Sequence, residues 1–300
     1  MAGLLVVNAD DLGVSRGSTL GIIKAHREGI VTSASLFVTS PSYGHALECL
    51  QSCPDLGVGL HFTLTAGKPV SPRHQIPLLM DDQGFFRWQF VSLLRAAALR
   101  QRADLLEQVE IELEAQLQRM IGDGVRPDHI DGERHVHLIP GIFERVVAAA
   151  NRHNIRFVRL GRDIGTGILG WEDLRGLLLN GGFVKLWLLS GLSKRNRGRS
   201  GGRTLNTDHF ASYLYSGRLD LVLRRILDRP PLAGVTEIMV HPGIPEESLG
   251  VDLGNREFER YLASDDRRLE LDACIAARAY TRAWTLTTFA RLANDAPAPC

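Results

Sequence analysis

The chain has 300 residues, with 35 Lys and Arg against 34 Asp and Glu, and a formal net charge of +1 at pH 7. This length allows one large domain or two small ones around a sizeable core. The near-zero charge excludes a global electrostatic attraction to nucleic acid or membranes. The four cysteines show no disulfide-framework spacing, no secretory signal precedes the first strand, and no apolar run reaches membrane-spanning length. We therefore expect a soluble, reduced, cytoplasmic protein.

The first predicted element is a buried strand that ends in two adjacent carboxylates. The apolar run from Leu4 to Val7 leads to Asp10, Asp11 and Gly13, and a helical pattern follows. Side chains alternate across a strand, so two consecutive Asp residues cannot both face the same side. One Asp can then reach a metal ion while its neighbour holds or takes a proton. A pair of turn residues that cap the next helix is the alternative interpretation.

Strands and helices alternate along the rest of the chain. Helices are predicted over 17–28, 41–51, 86–121, 140–151, 219–227 and 258–278, and strands over 30–39, 56–60, 155–160, 234–240 and 284–286. Such alternation favours parallel strands with right-handed crossovers, in one (β/α) barrel or one doubly wound sheet. No repeat or linker divides the chain, so we expect a single domain over 1–293 and a flexible tail over 294–300.

Polar residues fall at or just after the ends of several predicted strands. They are Asp10 and Asp11, His61, the segment from Asp131 to His137, and His241. The carboxyl ends of parallel strands converge on the ligand site of such folds. Taken singly, His61 is consistent with a core histidine and His241 with turn chemistry. Taken together, these residues favour a metal or acid–base site.

The segment from Asp131 to His137 is the most informative of these. In an extended strand Asp131, Glu133, His135 and His137 would share one face, and four such side chains make a poor core. A surface strand is the alternative. Asp, His and Glu together suit Zn²⁺, Mn²⁺, Fe²⁺, Co²⁺ or Mg²⁺. Three protein ligands with open positions are suited to the activation of water, with a nearby Asp as base and a histidine as acid.

Four blocks of the sequence resemble the YdjC-like carbohydrate deacetylase family, in matching order. They are VVNADDLGVSRGSTLGIIKAHREGIVTSASLFV, GVGLHFTLTAGKPV, DHIDGERHVHLIP and TEIMVHPG, with a weaker match in the helix around Arg267 to Leu271. The resemblance implies a distorted TIM-like (β/α) barrel of the polysaccharide-deacetylase type. It also implies a hydrolase that removes the N-acetyl group from an amino sugar with one divalent metal ion, Mg²⁺ or Zn²⁺.

The same resemblance implies roles for individual residues. Asp11 and His61 would bind the metal, Asp10 would be the general base and His241 the general acid. The family's third metal ligand is usually a histidine in a D-S-H-x-H-V-H run, and Glu133 stands at that position here. Glutamate can ligate a divalent ion, and the added negative charge favours harder ions. His135 could replace Glu133 as ligand or bind substrate, and a non-catalytic sugar or glycolipid-binding protein is the alternative function.

Residues 177–205 form an apolar and basic insertion. An apolar stretch to Leu192 precedes a Gly/Ser-rich basic run over 193–203, which we expect to be mobile. The insertion resembles the hopanoid-associated branch of the family, which implies an N-acetylated sugar on a lipid as substrate. An apolar segment backed by Lys and Arg can also contact the inner face of a membrane peripherally, here through 183–203. A lid helix that packs on the barrel is the alternative to this membrane contact. We expect no nucleic-acid partner, and a homodimer is possible.

Overall fold

The computed structural model describes residues 3–98, 102–164, 182–199, 204–213 and 219–295. Within these ranges the strands are β1 (Gly3–Leu12), β2 (Ser33–Leu36), β3 (Gly57–Phe62), β4 (His129–Gly132), β5 (Phe157–Val158), β6 (His209–Ala211), β7 (Val235–Val240) and β8 (Trp284–Leu286). The α-helices there are α1 (Arg16–Glu28), α2 (Tyr43–Leu50), α3 (Phe90–Ala98), α4 (Arg102–Gly122), α5 (Ile142–Arg152), α6 (Gly182–Arg197), α7 (Leu223–Leu227), α8 (Arg256–Leu262), α9 (Asp265–Ala276) and α10 (Phe289–Asp295). Short 3₁₀ segments lie at Glu133–Leu138, Leu219–Leu221, Pro245–Ser248 and Ala277–Ala279.

The strands form one parallel sheet in the order β5-β4-β3-β2-β1-β7-β6, with β8 beside β1. Isolated parallel bridges from Phe157 to Leu205 and from Asp163 to Phe210 connect the two ends of this order. The sheet therefore curls into a distorted, incompletely closed barrel with helices between successive strands. The α/β barrel predicted from the sequence is confirmed.

Strand β1 runs through the middle of the sheet and is buried on both faces. Leu5, Val7 and Ala9 are fully buried in the main apolar core, and Val6 is fully buried against Phe289 on the other side. A parallel strand covered on both faces reads as a continuous apolar run, which is why the sequence predicts it well. Its last residues emerge at the carboxyl end of the sheet, where the polar residues gather.

Two long predicted helices are each divided in the structure. The helix predicted over 86–121 corresponds to α3 and α4, with 99–101 outside the described residues. The helix predicted over 258–278 consists of α8 and α9, because Ser264 takes an extended backbone conformation before Asp265 and Asp266. Ser followed by acidic residues is typical of a helix start. Strand β6 was not predicted, because three residues carry too little periodicity.

The described part of the insertion is helical. Helix α6 continues to Arg197, so the first residues of the basic run are helical. Burial of Leu189, Leu192 and Asn196 on one face explains the helix, and the Asn196 amide donates to the Leu138 carbonyl at 2.9 Å. Residues 177–181 and 200–203 lie outside the described residues. Among the described helices, none is long and apolar enough to span a bilayer.

Helix α10 covers the first two residues of the predicted tail, 294 and 295, and 296–300 lie outside the described residues.

Candidate active site

A bulge at the end of β1 places both aspartates in one cavity. The pairing of β1 with β2 shifts register between Ala9 and Leu12, and Asp11 has a left-handed backbone with φ of 74°. Asp10 and Asp11 are both buried and both line a cavity of about 780 Å³. The expectation from strand alternation, that they cannot face the same side, is therefore wrong, because a bulge re-aims a side chain. A non-Gly residue in the left-handed region is uncommon and typical of functional sites.

His61, near the end of β3, links Asp11 to Asp131. Its Nδ1 lies 2.7 Å from Asp131 Oδ1, and its Nε2 lies 3.5 Å from Asp11 Oδ1. Burial alone would lower the pKa of His61, but the carboxylates around it outweigh this effect and hold the pKa well above its ordinary value. Asp131 thus orients the ring so that Nε2 faces Asp11 and the cavity, as a carboxylate does for a metal-binding histidine.

Arg159 compensates the negative charge of three buried carboxylates at the base of the cavity. Its guanidinium forms a bidentate pair with Asp10 at 2.7 and 2.8 Å, lies 2.7 Å from Asp131 and donates to Glu237 at 2.7 Å. Burial would raise the pKa of Asp131, but Arg159 and His61 hold it well below its ordinary value. Sequence reasoning missed Arg159 and Glu237. The available signal was a charged residue within an apolar strand run in each case.

A second buried arginine, Arg267 of α9, holds Asp11. It donates to Asp11 Oδ2 and to the Ser18 hydroxyl, both at 2.8 Å, and its guanidinium lies 5.0 Å from the centre of the Tyr261 ring. Burial would raise the pKa of Asp11, but Arg267 and the neighbouring histidines lower it. The Asp11 carboxylate is therefore ionised while its Oδ1 points toward His61. Arg267 lies in the weakly matching helix, but sequence reasoning assigned it no role in the site.

The segment after β4 differs from its prediction. Residues Glu133 to Leu138 form 3₁₀ turns on either side of a kink, at which Arg134 and His135 have left-handed backbones with φ of 48° and 61°. The expectation of one extended strand with Asp131, Glu133, His135 and His137 on a common face is therefore wrong. Asp131 lies on β4 under the site, whereas Glu133 and His135 line the cavity.

His137 is buried behind the cavity and is held by the backbone. Its Nε2 lies 3.1 Å from the carbonyl oxygen of Arg159, and its Nδ1 has no hydrogen-bond partner. Burial lowers the pKa of His137 to about 4, although Asp131 opposes the shift. His137 is thus a neutral buried imidazole under ordinary conditions and does not line the cavity.

Glu133 presents a buried oxygen that lacks a donor. Its Oε2 accepts a hydrogen bond from the Thr65 hydroxyl, whereas Oε1 has no hydrogen-bond partner. Arg134 Nε lies 3.2 Å from Oε1 but outside hydrogen-bond geometry. Burial raises the pKa of Glu133, and Arg134 and Thr65 offset this only in part. An orphaned buried carboxylate oxygen facing a cavity suits a cation ligand.

His135 projects into the same cavity. Its ring packs edge-on against Tyr213 with ring centres 4.9 Å apart, and its Nδ1 has no hydrogen-bond partner. Burial holds the pKa of His135 well below its ordinary value. A neutral imidazole with a free nitrogen can accept or donate one hydrogen bond to a ligand.

His241 follows β7 and enters the cavity from the opposite side of the sheet order. Its backbone N–H donates to the Glu270 carboxylate, whose Oε2 also lies 3.8 Å from His241 Nδ1. The turn after it packs directly on α1, where a Cβ on Gly21 would lie 2.4 Å from the Gly243 Cα. Helix α9 therefore supports the site twice, through Arg267 at Asp11 and through Glu270 at His241.

Among the described residues, one group of acidic and imidazole side chains has ligand atoms close enough to one another to share a metal ion. Ligand atoms of Asp10, His61 and Asp131 all lie within 4.8 Å of one another. However, Arg159 already contacts both of these carboxylates, and its permanent charge opposes a second cation at that place. On the other side of His61, Asp11 and Glu133 line the cavity, and each is also accompanied by an arginine, Arg267 at 2.8 Å from Asp11 Oδ2 and Arg134 at 3.2 Å from Glu133 Oε1. Both oxygens of Asp10 and of Asp131 already accept hydrogen bonds, whereas Glu133 Oε1 accepts none, so the availability of ligand atoms favours the side of Asp11 and Glu133.

The remainder of the cavity wall is mostly apolar, although Arg134, Lys185 and Glu257 also line it. Its apolar part is formed by α3, α6, α8 and β7 through Phe90, Val91, Val184, Leu188, Leu189, Met239, Phe258 and Tyr261. At the rim, Val184 is 69% exposed and Val91 50%, and the neighbouring Trp187 is 79% exposed. The site thus joins a polar floor at the strand ends to an apolar wall that continues onto the surface.

Comparisons with known proteins agree with this architecture. The family model described as "YdjC-like protein" matches residues 4–283. A protein named carbohydrate deacetylase from Brevibacillus brevis is 34% identical over 250 residues, which cover 82% of this chain and 83% of the relative. A chitooligosaccharide deacetylase from Proteus mirabilis is 44% identical over 153 residues, 51% of this chain and 57% of that one.

A solved structure resembles nearly the whole chain. It comes from Enterococcus faecalis V583, and its name refers to cellobiose-phosphate cleavage. The two chains align with a TM-score of 0.68 over 97% of this chain and 99% of the other, at 24% identity. At this identity the likeness supports the fold alone.

Proposed function

Because the chain belongs to the YdjC-like protein family, we propose that it is a metal-dependent deacetylase that removes the N-acetyl group from an amino sugar. The observation that carries the proposal is the convergence of Asp10, Asp11, His61, Glu133 and His241 on one cavity. They arrive from the carboxyl ends of separate strands, where (β/α) barrels place their catalytic groups. Relatives named carbohydrate deacetylases support the reaction class.

The metal would be held by Asp11, His61 and Glu133. Three observations support this set: Arg267 holds Asp11 ionised, Asp131 orients His61, and Glu133 has an oxygen that accepts no hydrogen bond. Two carboxylates and one imidazole suit Mg²⁺ or Zn²⁺, with the carboxylates favouring the harder ion. The chemistry that such an ion supplies is Lewis-acid activation of water and of the amide carbonyl.

Asp10 is proposed as the general base. Arg159 and the Asn8 amide hold its carboxylate in one orientation, and it lines the cavity beside Asp11. A carboxylate so placed takes the proton from the attacking water. Its pairing with Arg159 stops it from turning toward the cation.

His241 is proposed as the general acid. It lies across the sheet order from His61, and Glu270 fixes its backbone while the ring remains at the cavity wall. Protonation of the departing amine by an imidazole is the matching step to proton removal by Asp10. His135, with its free Nδ1, is proposed to bind a polar group of the sugar.

We further propose that the amino sugar is carried on a lipid. The apolar wall leads from the polar floor to Val184 and Trp187, which are largely exposed on α6. Helix α6 carries Lys and Arg in its last turn, which would favour peripheral contact with an anionic membrane surface. A sugar would then occupy the polar floor while its apolar carrier follows the wall.

Acetate release tests the proposal directly. The metal-reconstituted protein is incubated with free N-acetylglucosamine, with diacetylchitobiose and with an N-acetylglucosaminyl lipid in vesicles. We expect release from the lipid-carried sugar to be fastest, and Asp10→Asn to lower kcat by about 10²–10⁴-fold with metal content unchanged. Binding of these sugars without acetate release by any metal-loaded form would instead indicate a non-catalytic sugar-binding protein.

A further inference from the structure

Five buried side chains form a closed ring of hydrogen bonds and ion pairs beneath the site. Asn8 Nδ2 donates to Asp10 Oδ1 at 2.9 Å and to Ser35 Oγ at 2.7 Å. Ser35 donates to Asp131 Oδ2 at 2.6 Å, and Arg159 Nη2 contacts both Asp131 and Asp10 at 2.7 Å. The ring therefore connects the carboxylate beside the cavity to the carboxylate that holds His61.

The direction of each hydrogen bond in this ring is determined. A flipped Asn8 amide would set its oxygen against the Asp10 carboxylate oxygen, so Nδ2 must be the atom that faces Asp10 and Ser35. Ser35 accepts from that amide and has a single proton to donate. At 2.6 Å, Asp131 is its nearest acceptor, closer than His129 Nε2 at 3.2 Å.

We propose that Ser35 is a positioning residue of the centre. Through Asp131 its hydroxyl fixes the imidazole of His61, and through Asn8 it fixes the carboxylate of Asp10. Ser35 lies on β2, is fully buried and does not line the cavity, so it cannot touch substrate. The roles assigned to His61 and Asp10 rest on the proposed function, whereas the ring itself is geometry.

This role follows from the hydrogen-bond partners of the two Asp131 carboxylate oxygens. Asp131 Oδ1 is directed at His61 while Oδ2 is held by the Ser35 hydroxyl and by Arg159. Removal of the hydroxyl leaves only the guanidinium on Oδ2, and it leaves the second Asn8 proton without an acceptor. The Asp131 carboxylate can then rotate and the Asn8 amide beside Asp10 loses its second anchor, and a small change of angle at His61 moves Nε2 away from the cation position.

The decisive variant is Ser35→Ala, compared with Ser33→Ala. Ser33 lies two residues earlier on the same strand and is equally buried, and its hydroxyl has no hydrogen-bond partner. For Ser35→Ala we expect the dissociation constant of the metal to rise about tenfold and kcat to fall about tenfold. KM should stay within about twofold, and Ser33→Ala should change none of these values by more than about twofold.

Two further measurements separate positioning from loss of stability. The His61 Nδ1–H proton resonance should shift in Ser35→Ala and stay in place in Ser33→Ala. In an Asp131→Asn background, Ser35→Ala should not raise the metal dissociation constant further, because the hydroxyl acts through that carboxylate. Ser35→Cys keeps the volume with a weaker donor and should give an intermediate affinity if the alanine variant does not fold.

Three results would each overturn the proposal. The first is unchanged metal affinity in Ser35→Ala, and the second is an equal loss of metal affinity in Ser35→Ala and Ser33→Ala. The third is a further loss of metal affinity when Ser35→Ala is added to Asp131→Asn. Metal affinity and the His61 resonance are measured without substrate. A wild-type protein that releases no acetate therefore refutes the proposed function and leaves this test intact.

Discussion

Replacing Asp131 by Asn tests which side of His61 holds the metal ion. Asp131 accepts from His61 Nδ1 at 2.7 Å and is fully buried, so the change removes one charge without changing volume. If Asp131 only orients His61, metal affinity should fall about 10–100-fold, the range found for outer-shell partners of metal ligands. This corresponds to about 1.4 to 2.7 kcal/mol of binding free energy.

The effect of Asp131→Asn on the protonation of His61 acts in the opposite direction, toward higher metal affinity. The carboxylate holds the pKa of His61 above its ordinary value, so protons compete with the metal in the wild type more than in Asp131→Asn. Affinity is therefore measured by calorimetry at several values between about pH 7 and 9, because proton competition weakens as pH rises. The orientation effect should remain at the highest pH.

The control for this variant is Glu237→Gln. Glu237 is as buried as Asp131 and pairs with the same guanidinium at 2.7 Å, but its other hydrogen-bond partner is Thr207 and not His61. We expect Glu237→Gln to leave metal affinity within about twofold. The reasoning would be refuted if Asp131→Asn abolished binding while Asp11→Asn left it unchanged, since the ion would then lie among Asp10, His61 and Asp131.

Three further predictions concern stability and surface binding. Arg159→Met leaves three buried carboxylates without their cation. We expect it to lower the free energy of unfolding by about 3–5 kcal/mol in urea titrations. A fall below about 1 kcal/mol would contradict the buried network. His137 has a pKa of about 4 in the fold against 6.5 when unfolded, so the unfolded chain binds more protons between these values and stability falls as pH drops through them. By pH 5 the loss from this group is about 2 kcal/mol in metal-free urea titrations, and His137→Gln should remove it; an unchanged pH profile would show that His137 is not responsible. Trp187→Ser should weaken binding to anionic vesicles roughly tenfold. Leu249 is 72% exposed but lies outside the cavity wall, so Leu249→Ser should leave vesicle binding unchanged. Equal effects of the two substitutions would exclude α6 as the membrane contact.

Much of the fold could be predicted from local patterns. The strand at Leu4, the helix from residue 17 and the strand before His241 have strong apolar periodicity, and their ends fall within a few residues of prediction. Parallel strands then place their carboxyl ends together, which is why Asp10, His61 and His241 were recognised as neighbours. Short elements such as β6 could not be predicted, since neighbouring strands stabilise them more than their own residues do.

The sequence by itself determined that Asp10, Asp11, His61 and His241 reach one cavity, because strand ends and residue types are local properties. Only the tertiary structure decided how those groups are charged and aimed. Arg159 and Arg267 lie 149 and 256 residues from the aspartates they hold, and no local pattern records such a pairing. The left-handed backbones of Asp11 and His135 likewise depend on packing from other elements, because an isolated chain disfavours them. Burial then fixes the charge of each group, since a carboxylate far from water is ionised only when a partner from elsewhere in the fold compensates it.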